Sequence, residues 1–325
     1  DMKIQSEKDL EIISRKYRQS IYHPEAIKVN IGMASCGIAA GAQEAFDTAA
    51  EKYKDNQDIQ ICQSGCIGFC EMEPLVEIFQ DGKPRVMYKN ITEKKIVDAI
   101  EDYREGISQK KWILGQIRDP RSILEDDFEN PQTKVTPYES APFLEDIPFY
   151  KNQKRNIISS NIKIDPKTID DYLAIDGYSA LAKVLSGMSS EEVVEEVKQS
   201  NLRGRGGGGF PAGRKWEGSR NAPDKTKYVL VNADEGDPGA FMDRALLEGN
   251  PHLILEGLII GGYAIGAHEG YIYVRQEYPL AVENVNIAIN QAEACGFIGE
   301  NILGSGFDFK VIVHKGAGAF VCGES

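Results

Sequence analysis

The stretch Leu202-Arg203-Gly204-Arg205-Gly206-Gly207-Gly208-Gly209-Phe210-Pro211 constrains this chain more than any other. Gly204 and the run Gly206 to Gly209 leave bare backbone, able to take positive φ and to bring N–H groups close to a ligand. Two arginines sit among the glycines, and Ala212-Gly213-Arg214-Lys215-Trp216 follows. A glycine-rich loop flanked by cations suits a phosphate. A flexible linker is the alternative, but linkers are usually Gly/Ser-rich, without aromatic residues or interspersed arginine.

The rest of the chain limits what that loop can serve. A length of 325 residues suggests about two domains. A net charge of −13 argues against nucleic acid as the main partner, because a phosphate backbone needs a basic face. No apolar run reaches the length of a membrane span, and the start, Asp1 to Glu7, has no apolar signal-peptide core. The expected location is the cytoplasm. Six cysteines in a chain this long are too few for a disulfide scaffold, so the closely spaced group points to metal or redox chemistry.

From the start, residues 7–22 read as a helix ended by Pro24, and Ile27 to Gly32 as a β-branched strand running into Ser35-Cys36-Gly37. Ile38 to Tyr53 is an alanine-rich helix and Ile59 to Ile61 a second strand. Leu75 to Phe79 and Arg85 to Tyr88 make a hairpin, and Thr92 starts a helix to Gly106. The cysteines follow the first two strands, which would bring them together if those strands lie parallel. Cys62, Cys66 and Cys70 are spaced at four-residue intervals, with Gly65 and Gly68 letting the loop wrap a ligand. Thiolate-only ligation suits an iron–sulfur cluster or a zinc ion.

This arrangement resembles the thioredoxin-like [2Fe–2S] ferredoxin domains, in which one cysteine group follows the first strand and a Cys-x3-Cys pair the second. The resemblance implies Cys36, Cys66 and Cys70 as ligands. The fifth residue after Cys36 is Gly41, where that family carries another cysteine, so Cys62 is expected as the fourth ligand.

Between Lys110 and Gln153 the periodicity fails, with Pro120, Pro131, Pro137, Pro142 and Pro148 and an acidic patch at Glu125-Asp126-Asp127. Trp112, Phe143, Phe149 and Tyr150 suggest an arm that packs against something. The expected organisation is residues 1–108, a linker over 109–153, and a second domain over 154–325. In that domain helices are predicted over 169–175, 178–185 and 190–199, the last capped by Ser189 or Ser190. After the glycine loop come a buried strand over 227–232, a helix over 253–267, a strand over 270–274, a helix over 280–294 and a strand over 309–313. Alternating strands and helices argue for a parallel sheet. The first of these strands empties into Ala233-Asp234-Glu235-Gly236-Asp237-Pro238-Gly239, the place where open α/β sheets hold ligands.

Three motifs stand in order: Arg203 to Trp216, Asn232 to Gly239, and Gly316-Ala317-Gly318-Ala319-Phe320-Val321-Cys322-Gly323-Glu324. Together they resemble the flavin-binding NADH dehydrogenase subunit of respiratory complex I and its relatives in NAD(P)-linked [FeFe] hydrogenases. A cluster domain placed ahead of them is similar to the hydrogenase diaphorase subunits, including electron-bifurcating ones. The implied fold class is α/β: a thioredoxin-like [2Fe–2S] ferredoxin domain followed by a Rossmann-like parallel α/β flavin domain. The resemblance implies FMN on Gly204, Arg205, Gly206, Lys215, Asn232, Asp234, Glu235, Phe320, Gly323 and Glu324. It implies Phe210 and Glu324 as contacts to NAD(H) or NADP(H). It also implies a [4Fe–4S] cluster in a further C-terminal part, and as partners a hydrogenase catalytic subunit, a small [2Fe–2S] subunit and ferredoxin. Flavin accepts electrons in pairs and releases them singly, and clusters carry one at a time, so the pairing makes a two-to-one electron converter. Cys295 and Cys322 read as structural. The alternatives are a diaphorase subunit of a formate dehydrogenase or of complex I and, in another class, a non-catalytic iron–sulfur carrier.

Overall fold

The computed structural model describes residues 3–106, 112–118, 135–139, 141–153, 155 and 157–319. The chain forms two compact units, one of Tyr17–Pro166 with Glu248–Asn250, the other of Asp1–Lys16, Lys167–Leu247 and Pro251–Ser325. The boundary near Lys16 falls inside the first helix, α1 (Glu7–Tyr22).

The unit built on Tyr17–Pro166 runs β1 (Ile27–Gly32), α2 (Ser35–Ala39), α3 (Ala42–Tyr53), β2 (Ile59–Ser64), β3 (Val76–Phe79), β4 (Val86–Tyr88), α4 (Glu93–Glu105), β5 (Ile113–Gln116) and α5 (Pro148–Lys151). Its sheet has the order β2-β1-β3-β4-β5. Strands β1 and β2 are parallel, while β3 runs antiparallel to β1 and β4 to β3. This is the thioredoxin arrangement. Residues of β1 alternate between two covered faces. Val29 and Ile31 join Ala42, Ala45 and Ala49 of α3 and Ile96, Ala99 and Ile100 of α4 in one core. Alanines on α3 let helix and sheet approach closely. On the other face Asn30 donates to Glu77 at 3.2 Å, and the Arg85 guanidinium holds the same carboxylate through two bonds of 2.9 Å. A buried pair hydrogen-bonded this fully tolerates its desolvation, and losing either partner would strand the other charge.

The expected linker contributes to this sheet. Residues Ile113–Gln116 pair with β4, and the Gln116 amide donates to the carbonyls of Tyr138 at 2.8 Å and Ala141 at 2.7 Å. Four residues with one glycine carry too little alternation to be read as a strand, so tertiary pairing decides it. The acidic patch Glu125 to Asp127 lies outside the described residues.

The other unit runs α6 (Ile169–Ala174), α7 (Ser179–Gly187), α8 (Ser190–Gln199), α9 (Ala212–Asn221), β6 (Val229–Ala233), α10 (Met242–Gly249), α11 (Pro251–Ile265), β7 (Glu269–Val274), α12 (Pro279–Cys295) and β8 (Lys310–Lys315). Its three strands are all parallel, in the order β6-β7-β8. Helix α8 starts in a capping box, Ser189 with Glu192. Helix α9, absent from the sequence reading, turns only Gly213 fully inward, which leaves little periodic signal. A Cβ at Gly213 would fall 2.6 Å from the Lys198 backbone nitrogen, so glycine lets α9 cross α8 at close range.

A polar network crosses the interior here. Glu256 of α11 accepts from the Tyr172 hydroxyl at 2.5 Å and from the backbone N–H of Tyr178 and Leu181 at 2.8 and 3.0 Å, satisfying the start of α7. His252 is held between the Tyr178 hydroxyl at 2.9 Å and the Gln291 carbonyl at 3.1 Å. Burial pushes the His252 imidazole down to about 4, so it is neutral, accepting from Tyr178 and donating to Gln291. No helix among the described residues is long and apolar enough to cross a membrane.

Candidate functional site

The parallel register of β1 and β2 sets Gly32 beside Ser64, so both strands release the chain at the same end. Cys36 is the second residue of α2, and Cys66 and Cys70 follow β2. The Cys36 and Cys66 sulfurs lie 3.6 Å apart, and those of Cys66 and Cys70 3.7 Å apart. All three fall within 4.8 Å of one another. Cys62, two residues before the end of β2, is not in this group; it pairs in register with Asn30.

Local backbone holds the thiols in place. A Cβ at Gly37 would sit 2.1 Å from the Gly32 carbonyl oxygen, so only glycine lets α2 pack on the end of β1. Gly68 takes φ +87 and donates its N–H to the Cys66 sulfur at 3.2 Å. Asn161 clamps the loop from outside, accepting from the Gly65 N–H through its carbonyl and donating through its amide to the Cys66 carbonyl at 3.1 Å. Phe69 stacks on Phe149 with ring centres 3.9 Å apart, and Arg155 lies 4.2 Å over the Tyr150 ring. The aromatic residues of the expected linker thus wall the cysteine loop.

A further group, not found from the sequence, stands beside Cys36. Glu73 is buried, 6% exposed, with one carboxylate oxygen 3.7 Å from the Cys36 sulfur and the other accepting the Leu75 N–H at 2.7 Å. Burial pushes its carboxyl up to about 7. The Cys36 thiol is raised by its hydrogen bond with Cys66 and by burial, and the Cys70 thiol chiefly by burial. Thiols and a carboxyl this close favour their protonated forms, and a cation binds by replacing those protons. Donors on one tetrahedral ion with bonds of about 2.0–2.3 Å lie about 3.3–3.8 Å apart, which is the spacing of Cys66 from Cys36 and from Cys70. The soft, sulfur-rich set fits an iron–sulfur cluster or zinc and suits calcium or magnesium poorly. The Glu-Pro that follows the last cysteine was the available signal.

In the other unit the strands β6, β7 and β8 end together. Their carboxyl ends open into a shallow crevice lined by Asp234 and Gly236 after β6, Tyr273, Arg275, Gln276 and Glu277 on and after β7, and Gly316, Gly318 and Ala319 after β8. Crevices at these ends are where parallel sheets bind ligands. A Cβ at Gly316 would lie 2.9 Å from the Tyr273 hydroxyl, so a larger residue there would displace that side chain. Asp234 faces the crevice; Asn232 turns its side-chain oxygen to the Asp234 N–H at 3.0 Å. Glu235 is engaged elsewhere: its carboxylate accepts from the N–H groups of Asp243 and Arg244 at 3.0 and 3.1 Å and from the Tyr278 hydroxyl at 3.1 Å. That side chain caps the start of α10 and fixes the loop around it. Arg275 donates to the Glu235 carbonyl and pairs with Glu277 at 3.0 Å. The β7 residues were missed by sequence reasoning, although the rule that picked out the end of β6 applies equally to β7.

The glycine loop is pinched at its base. Gly204 donates to the Phe210 carbonyl and Ala212 to the Leu202 carbonyl, both at 2.9 Å, and the Arg203 side chain donates to the Gly209 carbonyl at 3.0 Å. Gly207 and Gly209 take φ +97 and +59. A Cβ at any residue from Gly206 to Gly209 would meet nothing within 4 Å, so the loop backbone is open to a ligand. Arg205 and Lys215 are exposed, and Phe210 is 58% exposed. Open N–H groups, two cations and a polar crevice fit the phosphate and polar ring edge of a flavin mononucleotide. Phe320, Gly323 and Glu324 lie outside the described residues.

Comparison with known proteins bears on the same segment. Residues 197–325 match the Nuo51 FMN-binding domain. The chain is 58% identical over 161 residues to the NADP-reducing hydrogenase subunit HndC of Solidesulfovibrio fructosivorans, covering 50% of this chain and 32% of that protein. It is 52% identical over 157 residues to an NADH-quinone oxidoreductase subunit of Aquifex aeolicus, covering 48% and 36%. These relatives bear out the resemblance drawn from the three glycine-rich motifs. The chain spans about a third of the length of these curated relatives. Among solved structures, the thioredoxin-like [2Fe–2S] ferredoxin from Aquifex aeolicus is similar at 19% identity and a TM-score of 0.26, covering 30% of this chain and 96% of that one.

Proposed function

We propose that this chain binds FMN and an iron–sulfur cluster and works as an NAD(P)H dehydrogenase subunit of a larger redox complex. The observation that carries the reading is the crevice at the ends of β6, β7 and β8, which lies within the residues matching the FMN-binding domain. In this reading the open N–H groups of the glycine loop, with Arg205 and Lys215, hold the flavin phosphate. Gly204 and Gly206 let the backbone approach it. Asp234 contacts the polar edge of the ring, Asn232 holds the Asp234 backbone in place, and Glu235 fixes the loop through the start of α10. Phe210, already turned to solvent, offers a face for the nicotinamide. Phe320, Gly323 and Glu324 lie outside the described residues, and their part in holding FMN, and that of Glu324 in holding the dinucleotide, is what the resemblance implies. When bound, FMN would take the two electrons of one hydride and release them singly, and the cluster would carry them one at a time. No side chain need act as acid or base, so the protein's part is to bind, orient and exclude water.

Cys36, Cys66 and Cys70 are the proposed cluster ligands. The proposed setting is the cytoplasm, where thiols stay reduced. The proposed complex is an NAD(P)-linked hydrogenase, electron-bifurcating in its fullest form, with a hydrogenase catalytic subunit, a small [2Fe–2S] subunit, ferredoxin and a [4Fe–4S] cluster in the electron path. The test is reconstitution of the intact subunit with FMN, iron and sulfide. The expected result is a flavin absorption band that NADH or NADPH bleaches. An intact subunit that takes up iron and sulfide but no FMN would instead be a non-catalytic carrier. Recovery of the subunits that co-purify decides between a hydrogenase, a formate dehydrogenase and complex I.

A further inference from the structure

We propose that Glu73, and not Cys62, supplies the fourth protein ligand of the cluster, sharing its side of the site with Cys36. The inference rests on the cluster reading above and deepens it. Three thiols converge, and a site for four protein ligands needs one more donor. Among the described residues the candidates are Cys62 and Glu73.

Cys62 lies within β2, and neither it nor Glu73 belongs to the group whose ligand atoms all fall within 4.8 Å of one another. Bringing Cys62 in would mean moving a strand residue whose register with Asn30 is set by the parallel pairing of β1 and β2. Glu73 already touches one of the thiols. Its carboxylate oxygen is 3.7 Å from the Cys36 sulfur, matching the 3.7 Å between the Cys66 and Cys70 sulfurs. Read as a hydrogen bond, a thiol donating across 3.7 Å is weak, while as the spacing of two donors on one tetrahedral metal centre it is ordinary. Cys36 thus stands 3.6 Å from Cys66 on one side and 3.7 Å from Glu73 on the other.

The surroundings of Glu73 are built to aim it. The second carboxylate oxygen is fixed by the Leu75 N–H at 2.7 Å, which leaves the first directed at Cys36. Gly32 and Gly37 make room: a Cβ added at either would sit 3.2 Å from that second oxygen. A carboxylate 6% exposed, fixed on one side by the backbone and turned on the other toward thiols, is placed as a metal donor is placed. Carboxylate oxygen is a harder donor than thiolate, so it alters the electronic signature and potential of the cluster.

The test uses the full chain, reconstituted with iron and sulfide, in four forms: wild type, E73Q, E73C and C62A. Iron and acid-labile sulfide are counted, and the reduced cluster is read by electron paramagnetic resonance and redox titration. The expected results are at least a fivefold loss of cluster in E73Q, recovery of iron in E73C with a displaced resonance spectrum and potential, and an unchanged spectrum in C62A. Recovery in E73C also shows that the fold survives substitution at this position. The proposal is overturned if E73Q keeps the wild-type iron content and spectrum, or if C62A loses the cluster. A wild-type protein that takes up no iron and sulfide removes the cluster reading itself, and the proposal with it.

Discussion

The thiol site and the crevice at the ends of β6, β7 and β8 are built on opposite plans. At the thiol site the donors are side chains already in position, packed by glycines that tolerate no larger residue and walled by stacked aromatic rings. At the crevice and glycine loop the polar groups are largely backbone, open to solvent, with nothing near the glycine Cβ positions. A metal centre needs its ligands within a few tenths of an ångström, so the fold must fix them before the metal arrives. A nucleotide brings its own surface and charge, so the protein need only present donors and leave space. One region should therefore fail by losing packing or ligands, and the other by losing affinity.

The largest expected effect is at the thiols. Cys66→Ala should reduce bound iron and sulfide at least tenfold after reconstitution, with FMN content unchanged; retention of full cluster content would break the assignment of Cys66. Next comes Gly37→Ala, where the new Cβ would collide with the Gly32 carbonyl. Thermal unfolding should show a loss of about 3 kcal/mol in the unit carrying it. An undiminished melting temperature would mean the α2–β1 approach is not tight.

His252 tests whether the second unit is rigid behind its open site. Its folded value of about 4 lies below the ordinary 6.5, so the unfolded chain binds the extra proton first. The stability this neutral imidazole contributes is complete above about pH 6.5 and is lost as pH falls toward 4, by up to about 3 kcal/mol. Glu256, raised by burial, titrates in the opposing sense, so wild type must be compared with His252→Gln. The variant should lose less stability on acidification between pH 6.5 and 4.5; parallel curves would refute the role of His252.

The smallest effects belong to the open loop. Arg205→Ala should weaken FMN binding about tenfold, about 1.4 kcal/mol, while changing thermal stability by less than about 0.5 kcal/mol. A change in melting temperature without a change in affinity would reverse the contrast between the two regions.

Much of this was legible in the chain. The strands around Val29 and Ile61, the hairpin around Ile78 and Val86, and the long apolar α11 follow from patterns of two and of three to four residues, which are local. The glycine loop announced itself because four glycines beside two arginines have few other uses. Short elements were not legible: β5 exists because β4 offers an edge, and α9 because Gly213 allows it against α8. The thiol site shows the same division. Spacing along the chain identified Cys66 and Cys70, and the prediction that parallel strands bring Cys36 beside them agrees with the 3.6 Å between Cys36 and Cys66.

What the sequence by itself determined was which residue types could do chemistry and roughly where, because loop glycines, closely spaced cysteines and periodic apolar runs are properties of neighbours in the chain. The tertiary structure alone decided which of them meet. Cys62 is eight residues from Cys70 yet stands outside the thiol group, Glu73 reaches Cys36 from beyond the loop, and Glu235 turns from the crevice to the start of α10. Convergence depends on strand register and on which face a side chain takes, and a sequence fixes neither until the sheet has formed.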